Sequence, residues 1–193
     1  MSFKEWTTRE LVVAAVLAVA VGVVFWGWGL LWSSVFQAIP FPFSYALVGI
    51  WMIGGLLVPY VIRRPGAALL GELVAAFVSM VLGNQWGILT MASGLVQGAG
   101  SELVFATFRW KRFDGLALYG AAALAGVFSI LLDTFVYSYY RTYTWGNIGL
   151  AAVLIVISSL VLGGLLSLLL GEALARTGVL SGLAVSRGKE RRI

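Results

Sequence analysis

Four acidic side chains fall inside or at the edges of strongly apolar stretches: Glu72, Glu102, Asp133 and Glu172. A carboxylate in such surroundings normally faces a protein interior or a cavity and has a polar partner. Tyr137 and Tyr140 follow Asp133 at i+4 and i+7, so a helix there places one carboxylate and two phenols on one face. That combination suits an organic cation, because the anion supplies charge attraction and each desolvated ring face adds up to about 2 kcal/mol. Gln97, also within an apolar run, offers an amide to a heteroaromatic edge. Glu72 and Glu102 either pair with arginines or are neutral and hydrogen-bonded. Glu172 stands four residues before Arg176 and reads as a solvated helix-end pair. For each buried group the plainer alternative is a structural contact between helices.

Other chemistries are excluded or weakened. The chain has no histidine, which removes the commonest general base and metal ligand, and no cysteine, which removes thiolate and disulfide chemistry. The scattered carboxylates give little support to a metal site, and no cofactor is expected. No GxxxxGK[ST] loop occurs, so the chain does not itself hydrolyse nucleotide through a P-loop. Repeated pore motifs and a legible inverted repeat are both missing, which weakens a channel and a self-sufficient secondary transporter. The net charge of +5 sits at the ends of apolar runs, where it meets anionic headgroups rather than nucleic acid.

The elements that hold these residues must lie in a membrane. Of 193 residues, 61% are hydrophobic and 11% charged, and the mean hydropathy is +0.97; a soluble domain carries about a quarter charged residues. The spacing predicts an all-α integral membrane protein of six spans, forming one domain over residues 1–193. The spans cover about 11–25, 45–62, 67–83, a fourth within the stretch Leu82 to Arg112, 115–139 and 148–174. The first resembles a signal peptide in its charged start but reads as a retained span. Pro59 implies a kink in the second. Lys and Arg cluster at the N-terminus, after spans two and four, and in the tail, while the opposite loops hold only Arg141. Both termini, residues 1–10 and the basic soluble tail 177–193, are therefore cytoplasmic by the positive-inside rule. In that orientation Asp133 lies about 10 Å below the outer end of its helix, Gln97 near the midplane, and Glu72 and Glu102 deeper.

Two loops and two stripes complete the pattern. The turn Asn84-Gln85-Trp86-Gly87 is placed at the outer surface. Trp26 to Phe43 is expected to be broken by glycines and two prolines, with Trp32 and its neighbouring rings forming either an interfacial belt or a lid over a site. Ala14, Ala18 and Gly22 recur every four residues, as do Gly163, Ser167 and Gly171; such stripes let helices approach closely, inside this chain or against a partner.

The segments LLGELVAAFVSMVLGNQWG (69–87) and GLVQGAGSELVFATFRWKRF (94–113), with AAVLA on the first helix, resemble the YkoE group of S components of energy-coupling factor vitamin transporters. The resemblance spans most of the chain. It implies a non-enzymatic subunit that captures thiamine or its hydroxymethylpyrimidine precursor at the outer face of a prokaryotic plasma membrane. It further implies a transmembrane coupling subunit and two cytoplasmic ATPases as partners. Transferred to this chain, it nominates Glu72, Asn84, Gln85, Trp86 and Gln97 for binding, and Ala14 and Ala18 for docking. Two other readings stay open: an assembly subunit whose carboxylates only join helices, and a proton-coupled carrier with Glu72, Glu102 and Asp133 as its relay.

Overall fold

Thr7 opens the first helix with a reciprocal cap. Its hydroxyl accepts from the Glu10 amide at 3.2 Å, and the Glu10 carboxylate accepts from the Thr7 amide at 2.8 Å. In the computed structural model, which describes residues 6–137 and 142–186, this helix (α1) runs over Thr8–Ser34. The break expected from Trp26 onward therefore comes later than the sequence suggested. Gly27 and Gly29 stay helical, since a glycine costs only about 1 kcal/mol in a helix. The Trp28 indole also ties this end of α1 to Leu47 O at 3.0 Å. Only Val35, Pro40 and Pro42 turn the chain.

A short 3-10 turn, Phe36–Ala38, leads to a ten-residue 3-10 helix, Phe43–Met52, which continues into α2 (Gly54–Ile62) with Pro59 inside it. Next come α3 (Ala67–Val81), α4 (Leu89–Thr107) and α5 (Gly115–Leu131), the last extended by a π turn, Leu132–Val136. Then α6 (Trp145–Ser158) passes through a π segment, Ser159–Leu165, into α7 (Leu166–Arg176). Four continuous helices are long and apolar enough to cross a bilayer: Thr8–Ser34, Phe43–Ile62, Gly115–Val136 and Trp145–Arg176. The protein is thus a multi-pass membrane protein, all-helical over its described residues. α3 is shorter, and α4 carries Gln97, Ser101 and Glu102 in its middle.

Where lipid surrounds a bundle, helices are held together by close packing rather than by escape from water, so small residues mark the contacts. All nine residues of α2 are buried. α3 packs on α1, α2 and α4, and α4 packs on α5. The stripe Ala14, Ala18 and Gly22 faces this interior: Ala14 and Ala18 are 0% and 1% exposed, and a Cβ on Gly22 would lie 2.6 Å from that of Val78. Within the chain these three pack toward α3, the close approach that small residues permit. The opposite face of α1, with Val12, Val16, Val19 and Val23, is the exposed one. Gly163, Ser167 and Gly171 are internal too; Gly163 lies against Gly49 O and Leu56, and Gly171 against the Tyr60 ring.

At the end bearing the basic loops, Arg64 pairs with Glu10 at 2.8 Å and the Trp6 indole donates to Pro65 O, clasping the start of α1 to the α2–α3 turn. Glu172 and Arg176 make the expected exposed pair at 3.6 Å. The first part of the tail, up to residue 186, packs on the bundle. Leu180 and Leu183 are buried, and the Ser186 hydroxyl donates back to Leu180 O, so the chain folds under the bundle before residue 187.

Candidate functional site

A 3-10 helix has three residues per turn, so side chains at i, i+3 and i+6 stack above one another. In Phe43–Met52 this aligns Tyr45, Val48 and Trp51, and all three face a cavity of about 320 Å³. The opposite side of that helix carries Gly49, whose amide donates to Ser158 Oγ at 2.8 Å. Across the cavity stands the turn before α4. Asn84 Oδ1 accepts from the Trp86 and Gly87 amides, both at 3.0 Å, and from Thr90 Oγ1 at 2.9 Å, while Asn84 Nδ2 donates to Ser79 Oγ. This knot of bonds holds Trp86 edge-on to Trp51, with ring centroids 5.2 Å apart; Trp51 in turn meets Trp32 at 5.1 Å. Three indoles form one wall.

One polar end of the cavity is built on Glu72. Its side chain is almost wholly buried, and Oε2 accepts from the Gly55 amide at 2.5 Å. The Gln97 amide is oriented by its neighbours: with nitrogen and oxygen placed to satisfy them, it donates to Glu72 Oε1 at 3.2 Å and to Trp51 O at 3.0 Å, and accepts from Ser129 Oγ at 3.1 Å. The glycine pair Gly54-Gly55 makes room for the carboxylate, since a Cβ at Gly54 would lie 2.9 Å from Glu72 Oε2. The result is a carboxylate steadied by an amide and a hydroxyl, whose remaining lone pairs can accept from the donors on a flat ring edge.

The other polar end is built on Asp133. It sits in the π turn Leu132–Val136, where the wider winding re-aims the side chain. Asp133 Oδ2 accepts from the Tyr45 hydroxyl at 3.1 Å. Tyr137 also lines the cavity; its hydroxyl donates to Leu89 O at 2.7 Å and lies 3.2 Å from Ser93 Oγ. Beyond Tyr45, the Phe41 ring meets Tyr45 at 5.7 Å and Tyr143 at 4.1 Å, joining the α1–α2 and α5–α6 connections. Carboxylates thus stand at two ends of an indole-walled space.

Of the residues singled out from sequence, Trp32, Glu72, Asn84, Trp86, Gln97, Asp133 and Tyr137 come together at this cavity. Gln85 does not; it is exposed and is not part of the lining. Tyr140 lies outside the described residues. Glu102 does not line this cavity. It accepts from the Gly66 amide at 2.7 Å, the Ala68 amide at 3.0 Å and the Trp110 indole at 2.6 Å, so it neutralises the open amides at the start of α3. Sequence reasoning missed Tyr45, Trp51, Thr90 and Ser129. The three-residue spacing from Tyr45 to Trp51 is the signal that finds two of them, once 3-10 rather than α geometry is assumed.

Comparison with known proteins fits this arrangement. Residues 9–128 match the family described as "ABC-type cobalt transport system, permease component". A solved structure described as "Crystal structure of an S-component of ECF transporter" superposes with a TM-score of 0.92 at 34% identity, covering 97% of this chain and 95% of that one. The chain belongs to the S components of energy-coupling factor transporters, in their YkoE group. The relative behind that placement is "Putative HMP/thiamine permease protein YkoE" of Bacillus subtilis (strain 168), 38% identical over 97% of this chain and 92% of its own length. These relatives are transport components rather than enzymes.

Proposed function

We propose that this chain is the substrate-capture subunit of an ATP-driven importer and binds thiamine or its hydroxymethylpyrimidine precursor in the cavity between Glu72 and Asp133. The observation that carries the reading is the placement of two carboxylates at the polar ends of a space walled by Trp32, Trp51 and Trp86. Thiamine needs an anion and ring faces for its thiazolium, and an amide or carboxylate edge for its aminopyrimidine. The name of the B. subtilis relative points to the same compounds. A cobalt cargo, suggested by the matching family's description, finds poor support: the chain has no histidine or cysteine, and the described residues bring no three potential ligands together. Residues 1–193 act as one six-span domain in a prokaryotic plasma membrane. They work with a transmembrane coupling subunit and two cytoplasmic ATPases. The proton-carrier reading loses one relay member, because Glu102 is occupied at the start of α3.

Titration of the purified protein in detergent tests the reading. Saturable quenching of tryptophan fluorescence by thiamine is expected, and uptake in cells should require the ATPase partners. No saturable binding of thiamine or the pyrimidine would leave an assembly subunit as the better account.

The proposed orientation puts the Asn84 turn outside and Lys111 in the cytoplasm. The chain has no native cysteine, so single cysteines report cleanly. Ser34→Cys and Trp145→Cys should react with an impermeant thiol reagent in intact cells, and Lys111→Cys only after permeabilisation. Labelling of Lys111→Cys from outside would reverse the topology and move the cavity to the other face.

A further inference from the structure

This cavity carries acids, and several of its polar hydrogens are turned back into the protein. Among the described residues that line it, Glu72 and Asp133 are carboxylic acids and none is Lys or Arg. The Tyr45 hydroxyl donates to Asp133, the Trp51 indole to Phe25 O, and the Tyr137 hydroxyl to Leu89 O. The Gln97 amide serves Glu72 and Trp51 O. A helix start adjoins the cavity at Leu89 and Thr90, and elsewhere such a start welcomes phosphate. Here its amides are already paired: Leu89 with Trp86 O, Thr90 with Gly87 O and Met91 with Ile88 O. The indole N–H groups of Trp32 and Trp86 are neutral donors with no charge to balance a phosphate.

On the reading that this cavity captures thiamine or its pyrimidine, we propose that it selects the unphosphorylated compounds and rejects their phosphate esters. A phosphate ester carries close to two negative charges at neutral pH. Admitting one would place that charge beside two carboxylates and three indole faces, in a partly desolvated space where repulsion is strong. A thiazolium or a neutral aminopyrimidine meets no such opposition. The acids would then have two effects, attracting a cation and excluding the anionic form of the same molecule.

The test compares parent and ester in pairs, by tryptophan fluorescence of the full-length protein in detergent. Thiamine is set against its monophosphate, and hydroxymethylpyrimidine against its phosphate. Each ester should bind ~100-fold or more weakly than its parent, the ratio expected when like charges meet in a low-dielectric site. An ester within about tenfold of its parent in both pairs would overturn the proposal. Asp133→Asn and Glu72→Gln then locate the cause, and at least one should narrow the parent-to-ester ratio by about tenfold. If both variants remain monodisperse, bind parent and keep the full ratio, the acids are not the source of selectivity and the proposal fails. Failure of every parent to bind would count instead against capture of these compounds.

Discussion

Asp133→Asn is expected to weaken thiamine binding at least about tenfold, or ~1.4 kcal/mol, and to leave the uncharged pyrimidine within about threefold. The substitution keeps shape and deletes charge. Asp133 stands at the end of the cavity where Tyr45 and Tyr137 supply ring faces, an arrangement suited to a thiazolium. Removing one partner of a charge pair in a partly dry site commonly costs several kcal/mol, so tenfold is a floor. Glu72→Gln should behave differently. Glu72 shares the Gln97 and Ser129 end, where the proposed binding mode places the neutral ring edge, so both compounds should weaken together. The two variants titrated against the two compounds give four affinities that assign each carboxylate. If neither variant alters thiamine affinity, the rings alone hold the cation and the assignment of both ends is wrong.

The largest structural effect is expected at Gly49. Its missing side chain lets the 3-10 helix lie directly on the π segment, because a Cβ there would run into the carbonyl of Ser158 and close on the Ser159 amide. Backbone atoms cannot rotate aside as a side chain can. Gly49→Ala must therefore push the two elements apart, stretching the Gly49–Ser158 hydrogen bond and displacing Tyr45, Val48 and Trp51 from the cavity wall. Overpacking of this kind costs about 1–3 kcal/mol or more. The expected outcome is a sharp fall in thermal stability in detergent and loss of ligand binding. Gly27→Ala is the matched control: nothing lies within 4 Å of its Cβ position, so removing the glycine should leave stability unchanged or raise it by up to about 1 kcal/mol. Equal behaviour of the two variants would mean that the contact between the 3-10 helix and the π segment does not limit stability.

Much of this site is legible before any coordinates. Glu72, Gln97 and Asp133 declare themselves by polarity in apolar runs, and Asn84 and Trp86 by the turn they make, since such groups have few tolerable places in a membrane protein. What stays hidden depends on winding. Tyr45 and Trp51 reach the same wall because Phe43–Met52 turns three residues at a time, and apolar composition carries no sign of that. Asp133 lines the cavity, although a π turn presents it rather than the straight helix implied by i+4 and i+7 spacing. Glu102 lies away from the cavity although its sequence surroundings resemble those of Glu72, because its position in α4 brings it beside the start of α3 and Trp110. The stripe Ala14, Ala18 and Gly22 announces a close approach without naming what approaches. That was α3.

The helices differ greatly in length. Trp145–Arg176 spans 32 residues and Ala67–Val81 only 15, or ~48 Å and ~22 Å at 1.5 Å per residue. A hydrocarbon layer is about 30 Å thick, so one helix overshoots it and the other falls short. Such a difference is accommodated by tilt of the long helix, by local thinning of the bilayer, or by enclosure of the short helix among its neighbours, as α1, α2 and α4 enclose α3. Each protein molecule thus carries an uneven hydrophobic rim, and the membrane pays for the mismatch along that rim. Acyl-chain length is then expected to bias the tilt of the whole bundle, which makes bilayer thickness one of the variables that set how this subunit stands in its membrane.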